Sequence, residues 1–328
     1  MKLGICGTGQ ISEQLMRNAA KIKDIQVVSV MHRKMEKAKR FAHETNIPFA
    51  FDSMKDFLNS DIDTVYVGLP NSLHFEVAEA CIRANKHVLV EKPFTSNLNE
   101  LNQLIRLANQ HKVLLLEVNR VVYLPNIKWI KQNLSFLGPL KQAEISYCKR
   151  SRKYNDYQNG LRPNVFTPEY SGGALMDLGV YGLHLACELF GMPKTLTYRC
   201  EKLETGVDAE GILTLDYGEW RALIHQSKVT NGDVNVKIQG EQAVMAFDYA
   251  PSILKQGKLM IESEIKESDV HEEGNFYYFL KKACEIIDTN DRQEVQRLMQ
   301  KSIQIMTLLD EARAQCGIVF SQDMEVHS

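Results

Sequence analysis

His87-Val88-Leu89-Val90-Glu91-Lys92-Pro93 carries a short apolar strand into a charged pair and stops it at a proline. Residues 87–90 are apolar without alternation, as in a parallel strand covered on both faces. Pro93 keeps Lys92 extended or turn-like, because the proline ring clashes with a helical residue before it. An ammonium group is therefore fixed just past the carboxyl end of a buried strand. Ligands of open α/β sheets bind outside that edge. Lys92 is thus either a reacting group or a solvated lysine in a βα loop, and the surrounding pattern favours the first.

Outward from this stretch, strands and helices alternate. The spacing predicts strands over 2–6, 26–31, 48–51, 64–69, 87–90 and 113–118, with helices over 10–20, 34–44, 72–84 and 97–110. Alternation at this length calls for a doubly wound parallel sheet with helices on both faces, an α/β Rossmann domain over 1–118. The first βα turn reads Gly7-Thr8-Gly9-Gln10-Ile11-Ser12. Gly7 permits a tight turn, Gly9 lets a pyrophosphate approach the backbone, and the helix from Gln10 offers free amide donors. Ser12 stands where the fingerprint has its third glycine.

The end of the second strand informs by absence. An NAD site places an Asp or Glu there for the ribose 2′-hydroxyl, but residues 25–35 contain neither. His32-Arg33-Lys34 suits a 2′-phosphate instead, which guanidinium binds as a planar fork. NADP is expected over NAD, with NAD left open. The fourth strand ends at Gly68-Leu69-Pro70-Asn71-Ser72-Leu73-His74. The candidate cofactor contacts are Gly7, Thr8, Gly9, Gln10, Ile11, His32, Arg33, Leu69, Pro70, Asn71, His74, Glu91 and Lys92.

Composition excludes several classes. With 328 residues the chain is long enough for two domains at about 150 residues each. A net charge of -2 lacks the basic excess of a nucleic-acid binder. No apolar run reaches the roughly 18 residues of a membrane span. Seven scattered cysteines, none in CxxC spacing, suggest neither a disulfide framework nor a zinc site. Reduced thiols, no expected metal and a start that leads directly into a strand point to a cytoplasmic protein.

The second domain is expected over 119–328. A helix is read over 125–134, a strand over 140–147, and a basic loop from Lys149-Arg150-Ser151-Arg152-Lys153-Tyr154 to Pro168 without periodicity. A loop of that length is either a binding loop or lid, or a solvated charge run. Residues 174–190 read as an apolar helix with a polar stripe. At about 100° per residue, Asp177, Tyr181 and His184 share one face, and Glu188 continues it towards water. Strands fill 195–248, and Asn231-Gly232 signals a hairpin. Helices over 274–288 and 292–316 close the chain.

Gly7-Thr8-Gly9, Gly68-Leu69-Pro70-Asn71 with His74, Glu91-Lys92-Pro93 and Gly172-Gly173-Ala174-Leu175-Met176-Asp177-Leu178-Gly179-Val180-Tyr181 resemble, in order, the glucose–fructose oxidoreductase/inositol dehydrogenase (Gfo/Idh/MocA) family. The resemblance implies a second domain of α+β type with a large, mainly antiparallel open sheet, and homo-oligomers, dimers or tetramers. It implies an enzyme passing a hydride between nicotinamide and the carbonyl or carbinol carbon of a small sugar, polyol or diol. Lys92 would assist proton transfer, Tyr181 would donate or relay a proton, and Asp177 would orient substrate or lysine. Lys92, Asp177, Tyr181 and His184 are the candidate substrate contacts. Val122 and Leu124 stand where many members carry Arg and His, and Tyr181 where inositol dehydrogenases carry His, as in the dihydrodiol-dehydrogenase-like branch. The rivals are a non-catalytic nucleotide-binding regulator on the same fold and an enzyme that oxidises its substrate only transiently.

Overall fold

Strands without a polar face demand cover on both sides, and the first part of the chain supplies it. The computed structural model describes residues 1–268 and 273–324. Strands β1 (Lys2–Cys6), β2 (Gln26–Met31), β3 (Phe49–Phe51), β4 (Thr64–Val67), β5 (His87–Val90) and β6 (Leu115–Glu117) pair in parallel, in the order β3-β2-β1-β4-β5-β6. This is the doubly wound order, with its switch point between β1 and β4. Helices α1 (Gln10–Ala19), α2 (Met35–Thr45), α3 (Met54–Leu58), α4 (His74–Arg83) and α5 (Leu98–His111) connect the strands. Val65, Tyr66, Val67, Val88, Leu89 and Val90 are wholly buried. The short α3 was not read from sequence; it is capped by Ser53, whose hydroxyl accepts from the Asp56 amide.

The chain divides into two compact units, Met1–Asn119 with Phe276–Ile303, and Arg120–Asn275 with Gln304–Ser328. The first break adjoins the boundary read from sequence. Phe276–Ile303, assigned by that reading to the second domain, makes its contacts in the first unit. There Ser302 donates to the Glu117 carboxylate at 2.6 Å and the Cys284 thiol to the Asp24 carbonyl at 3.5 Å.

The second unit is built on strands β7 (Leu140–Cys148), β8 (Thr195–Lys202), β9 (Asp208–Asp216), β10 (Arg221–Ser227), β11 (Val234–Gly240), β12 (Ala243–Phe247), β13 (Gly257–Ile261) and β14 (Glu264–Ser268). Their order is β14-β13-β12-β11-β7-β10-β9-β8, antiparallel except between β7 and β10. Helices α6 (Pro125–Asn133), α7 (Tyr154–Gln158) and α8 (Val180–Phe190) complete its first part. Two last helices, α9 (Asn275–Thr289) and α10 (Arg292–Gln315), lie close to their expected bounds. One face of β9 and β10 buries Leu213, Leu215, Ala222 and Ile224; the other exposes Ile212, Arg221 and His225. Among the described residues no helix is long and apolar enough to cross a membrane.

The hairpin expected at Asn231-Gly232 does not form. β10 and β11 flank β7 on opposite sides, and the segment between them crosses the end of that strand. Gly232 donates to the Cys148 carbonyl at 3.2 Å, and the Asn231 side chain accepts from the Arg150 amide at 3.1 Å. Neither Asn231 nor Gly232 takes positive φ. The 149–170 loop also differs from a structureless run. Tyr154 and Tyr157 stack at 6.0 Å against Phe166, with the Arg150 guanidinium 4.9 Å from the Tyr154 ring centre.

α8 is buried from Val180 to Ala186 and lies on β7 and β10. Gly182 marks the contact: a Cβ there would stand 2.4 Å from the Ile224 Cγ2. Helix propensity alone makes Gly→Ala stabilising by about 1 kcal/mol. At this site packing dominates, so Gly182→Ala is expected to destabilise by about 1–3 kcal/mol in chemical denaturation. Combined with Ile224→Ala, it should cost less than the sum of the two single changes. Additivity would show that the two groups do not meet.

Candidate active site

In the first unit, the ends of β1, β2, β4 and β5 converge through main-chain contacts. Gly7 has φ +113°, a conformation suited to glycine. Its N–H donates to the Met31 carbonyl at 3.1 Å, tying the turn to the end of β2. A Cβ on Gly7 would stand 2.4 Å from the Gly68 carbonyl oxygen. Gly9, by contrast, opens on space: a Cβ there meets nothing within 4 Å. Gly9 is also the N-cap of α1 and offers no side chain to its amides. α3 and α5 are capped by Ser53 and Asn97; α1, like α2 and α4, has no side-chain cap, and its first amides can serve an outside acceptor. Thr8 is half-buried and Gln10 and Ile11 are exposed on the rim. Ser12 is wholly buried with its hydroxyl unpartnered, so it packs inward as the fingerprint's third glycine does.

Beyond β2, His32 is half-buried and Arg33 and Lys34 are exposed. Partial burial, then Lys37, Arg33 and Lys34, hold the His32 imidazole below its usual range. Its Nδ1 accepts from the Lys34 amide at 2.9 Å. A neutral, occupied His32 leaves Arg33 as the planar donor, and the Arg33 side chain has no hydrogen-bond or ion-pair partner among the described residues. An open glycine turn, an uncapped helix and an uncommitted guanidinium fit a dinucleotide with a 2′-phosphate.

Leu69, Pro70 and Asn71 are half-buried at the end of β4. His74 and Glu91, both expected as cofactor contacts, turn inward instead. His74 is wholly buried; its Nε2 lies 2.9 Å from the Leu69 carbonyl and its Nδ1 3.0 Å from the Pro93 carbonyl. Neither ring nitrogen remains for a ligand. Burial pulls the imidazole pKa down against both carbonyls, and a neutral ring can donate to only one of them. Glu91 is buried; one carboxylate oxygen accepts from the Tyr66 hydroxyl at 3.1 Å and the other from the Lys92 amide at 3.3 Å. Both residues thus brace the segment that carries Lys92, whose own side chain is half-buried. Periodicity has no signal for this: an internal His and a solvent-facing His read alike at the start of a helix.

In the second unit, residues 174–190 form a helix whose entry is a widened, π-helical turn, Leu175–Gly179. A buried carboxylate shapes that entry. Asp208 accepts from the Leu175 amide at 2.6 Å and the Tyr198 hydroxyl at 2.7 Å. Burial pushes its carboxyl pKa up, against those two donors. Gly173, at φ +119°, leaves its room, since a Cβ would lie 2.1 Å from Asp208 Oδ1.

Past the half-buried Asp177, the polar stripe does not face water. Tyr181 and His184 are buried, and Glu188 is shielded and paired with Lys131, correcting its solvent-facing reading. Arg120, also buried, donates through Nη2 to the Tyr181 hydroxyl, and its guanidinium carbon lies 5.2 Å from that ring's centre. Tyr147 packs on Tyr181 at 6.0 Å. Asp177 pairs with Lys228. Arg120 and Lys228 were missed from sequence. Arg120 stands two residues before Val122, in the stretch already set apart from the family pattern, but Lys228 is a single lysine after a strand, with no signal. Among the described residues no group of three or more His, Cys, Asp or Glu is placed to hold a metal.

Comparison with known proteins agrees with this geometry. The model of the GFO/IDH/MocA oxidoreductase family, NAD-binding Rossmann fold, matches residues 1–119, and that of the GFO/IDH/MocA C-terminal domain matches 135–246. The chain is 33% identical to scyllo-inositol 2-dehydrogenase (NADP(+)) IolU of Bacillus subtilis, over 98% of this chain and 99% of that one. It is 30% identical to trans-1,2-dihydrobenzene-1,2-diol dehydrogenase of Xenopus laevis, over 97% and 99%. Among solved structures, the 3-ketoreductase KijD10 of Actinomadura kijaniata, in complex with NADP and TDP-benzene, superposes with a TM-score of 0.85. It is 19% identical, over 96% of this chain and 97% of that one, and is evidence of the fold.

His74→Leu fills the same space and strips one of the two carbonyls of its donor. An unmet buried acceptor costs about 1–3 kcal/mol, so a stability loss of about 1–3 kcal/mol is expected by denaturant titration. A loss below half a kilocalorie would show that the ring fills space without tying the two loops.

Proposed function

Because the chain belongs to the GFO/IDH/MocA oxidoreductase family, we propose that it is an NADP-dependent enzyme that oxidises a hydroxyl of a small polyol or diol, or reduces the matching ketone. The observation that carries this reading is the open, uncapped start of α1 at Gly9, on the same sheet edge as Lys92. The relatives named for an inositol and a 1,2-diol, with identities of 33% and 30%, support the substrate class.

The turn from Gly7 to Ile11 would hold the pyrophosphate, Arg33 the 2′-phosphate, and Leu69, Pro70 and Asn71 the wall beside the nicotinamide. When bound, the cofactor supplies or accepts the hydride. Lys92 is the proposed proton-sharing group on the substrate oxygen, acting as the neutral amine during oxidation and as the ammonium during reduction. Its main chain is held by Glu91 and, through Pro93, by His74. Tyr181 is the proposed proton donor or relay, its hydroxyl oxygen held by the Arg120 donor. Asp177 is the proposed acceptor that orients a substrate hydroxyl, and His184 lies on the same helix about one turn beyond Tyr181.

The chain is also proposed to assemble with copies of itself through the outer face of β8–β10, where Arg199, Ile212 and His225 stand exposed around a shallow groove. It is proposed to work in the cytoplasm, where its seven free thiols stay reduced.

Scyllo-inositol with NADP is the first assay, read as NADPH absorbance. Lys92→Met should lower kcat by about 10²–10⁴-fold while NADPH binding, followed by fluorescence titration, stays near that of the native chain. NADPH binding without turnover of any inositol, diol or sugar would overturn the enzymatic reading in favour of a nucleotide-responsive regulator.

Cofactor choice has its own test. Arg33→Gln should raise KM for NADP about tenfold or more, the worth of a charged hydrogen-bond partner, and leave KM for NAD nearly unchanged. An equal change for both cofactors would remove Arg33 from the 2′-phosphate.

A further inference from the structure

Lys228 is used neither by the sequence reading nor by the roles just assigned. It directly follows β10, and its main chain is pinned from two sides. Its N–H donates to the Ala209 carbonyl at 3.0 Å, and its carbonyl accepts from the Ser151 amide at 2.8 Å. The side chain is only 7% exposed, yet its ammonium ends on Asp177, whose side chain keeps 37% of its surface open. An ammonium carries three donors. Among the described residues Asp177 is the one partner of the Lys228 ammonium. Burying a charge with donors unspent is costly unless something completes it. The next polar group along the helix is Tyr181, one turn on and on the same face, fixed by Arg120. Acceptor and phenol therefore share one helix face, and the donor meets the acceptor.

We propose that Lys228 and Asp177 form a donor–acceptor pair that recognises two adjacent hydroxyls of the substrate. Lys228 donates to one oxygen while the Asp177 carboxylate accepts from its neighbour. Two heavy atoms in hydrogen-bond contact are spaced like the oxygens of a 1,2-diol, so the pair matches a vicinal diol better than a lone hydroxyl. Lys228 is thereby a specificity-determining residue, and its hold on Asp177 fixes the carboxylate's orientation. The inference rests on the oxidoreductase reading above and adds to it the part of the substrate that is read.

The test compares trans-1,2-cyclohexanediol with cyclohexanol in the native chain, Lys228→Met and Lys228→Arg. NADPH formation is followed, and diol binding to the NADP-loaded protein is measured by calorimetry. The native chain should favour the diol at least tenfold in kcat/KM. In Lys228→Met that ratio should fall towards one, through a rise of about tenfold or more in KM for the diol, while Lys228→Arg keeps part of the preference. Thermal midpoint and NADPH affinity report whether each variant is folded. A preserved ratio in folded Lys228→Met overturns the inference, as does an equal loss for both compounds. If the native chain turns over neither compound, calorimetry still decides. Diol binding weakened tenfold in Lys228→Met supports the pair; unchanged binding, or none in the native chain, overturns it.

Discussion

The first unit depends on one close approach. The Gly7 backbone lies against the Gly68 carbonyl so tightly that a Cβ would stand 2.4 Å from its oxygen. Only a residue without a side chain lets the carboxyl ends of β1 and β4 meet in this way. From that contact a relay of main-chain atoms runs across the sheet edge. Gly68 leads to the Leu69 carbonyl, that carbonyl to the His74 ring, and the ring to the Pro93 carbonyl. Three loops from separate strands are locked to one another by backbone groups and the His74 ring. Lys92 inherits its position from that lock, and the glycine turn keeps its open side for a ligand.

The second unit solves a similar problem with a buried charge. Asp208 sits where the chain enters the helix of 175–190, accepting from the Leu175 amide and the Tyr198 hydroxyl. A carboxylate there replaces the missing partners at a helix start, where amides lack acceptors. The room it needs comes from Gly173. The entry then widens into a π-helical turn carrying Asp177, a feature common at functional sites. Asp177 and Tyr181 are then each met by a cation from elsewhere in the unit, Lys228 and Arg120.

Much of the fold is legible in the sequence because both signals it uses are local. Runs such as His87–Val90 announce burial on two faces, and the spacing between them announces the crossover helices. The glycine turn is legible for the same reason. What is not legible is pairing between distant segments. Asn231-Gly232 reads as a hairpin because the rule assumes that neighbours in sequence pair, and here β7 intervenes. The cations that meet the polar stripe of 177–188 are not legible because they lie on other segments, with Arg120 61 residues before Tyr181 and Lys228 51 after Asp177. His74 and Glu91 were found as motif residues, but the direction of their side chains is settled by Leu69, Pro93 and Tyr66.

The same distant pairings bear on enzyme against regulator. Taking a cation into a packed interior is seldom a gain in stability; replacing it and its partner with well-packed apolar residues is often neutral or better. The second unit nevertheless buries Lys228 against Asp177, and Arg120 against Tyr181, on a helix otherwise lined with Leu175, Met176, Leu183 and Leu185. Apolar side chains would have served a mere scaffold there. A protein that only senses a dinucleotide needs the glycine turn and the α1 amides, all in the first unit. It gains nothing from oriented donors and acceptors beneath a separate sheet. Hydroxyl chemistry does, because an alcohol must be gripped by its oxygens and relieved of a proton. The local rules broken on the 175–190 helix are those expected to break where substrate is handled, and so they weigh for catalysis.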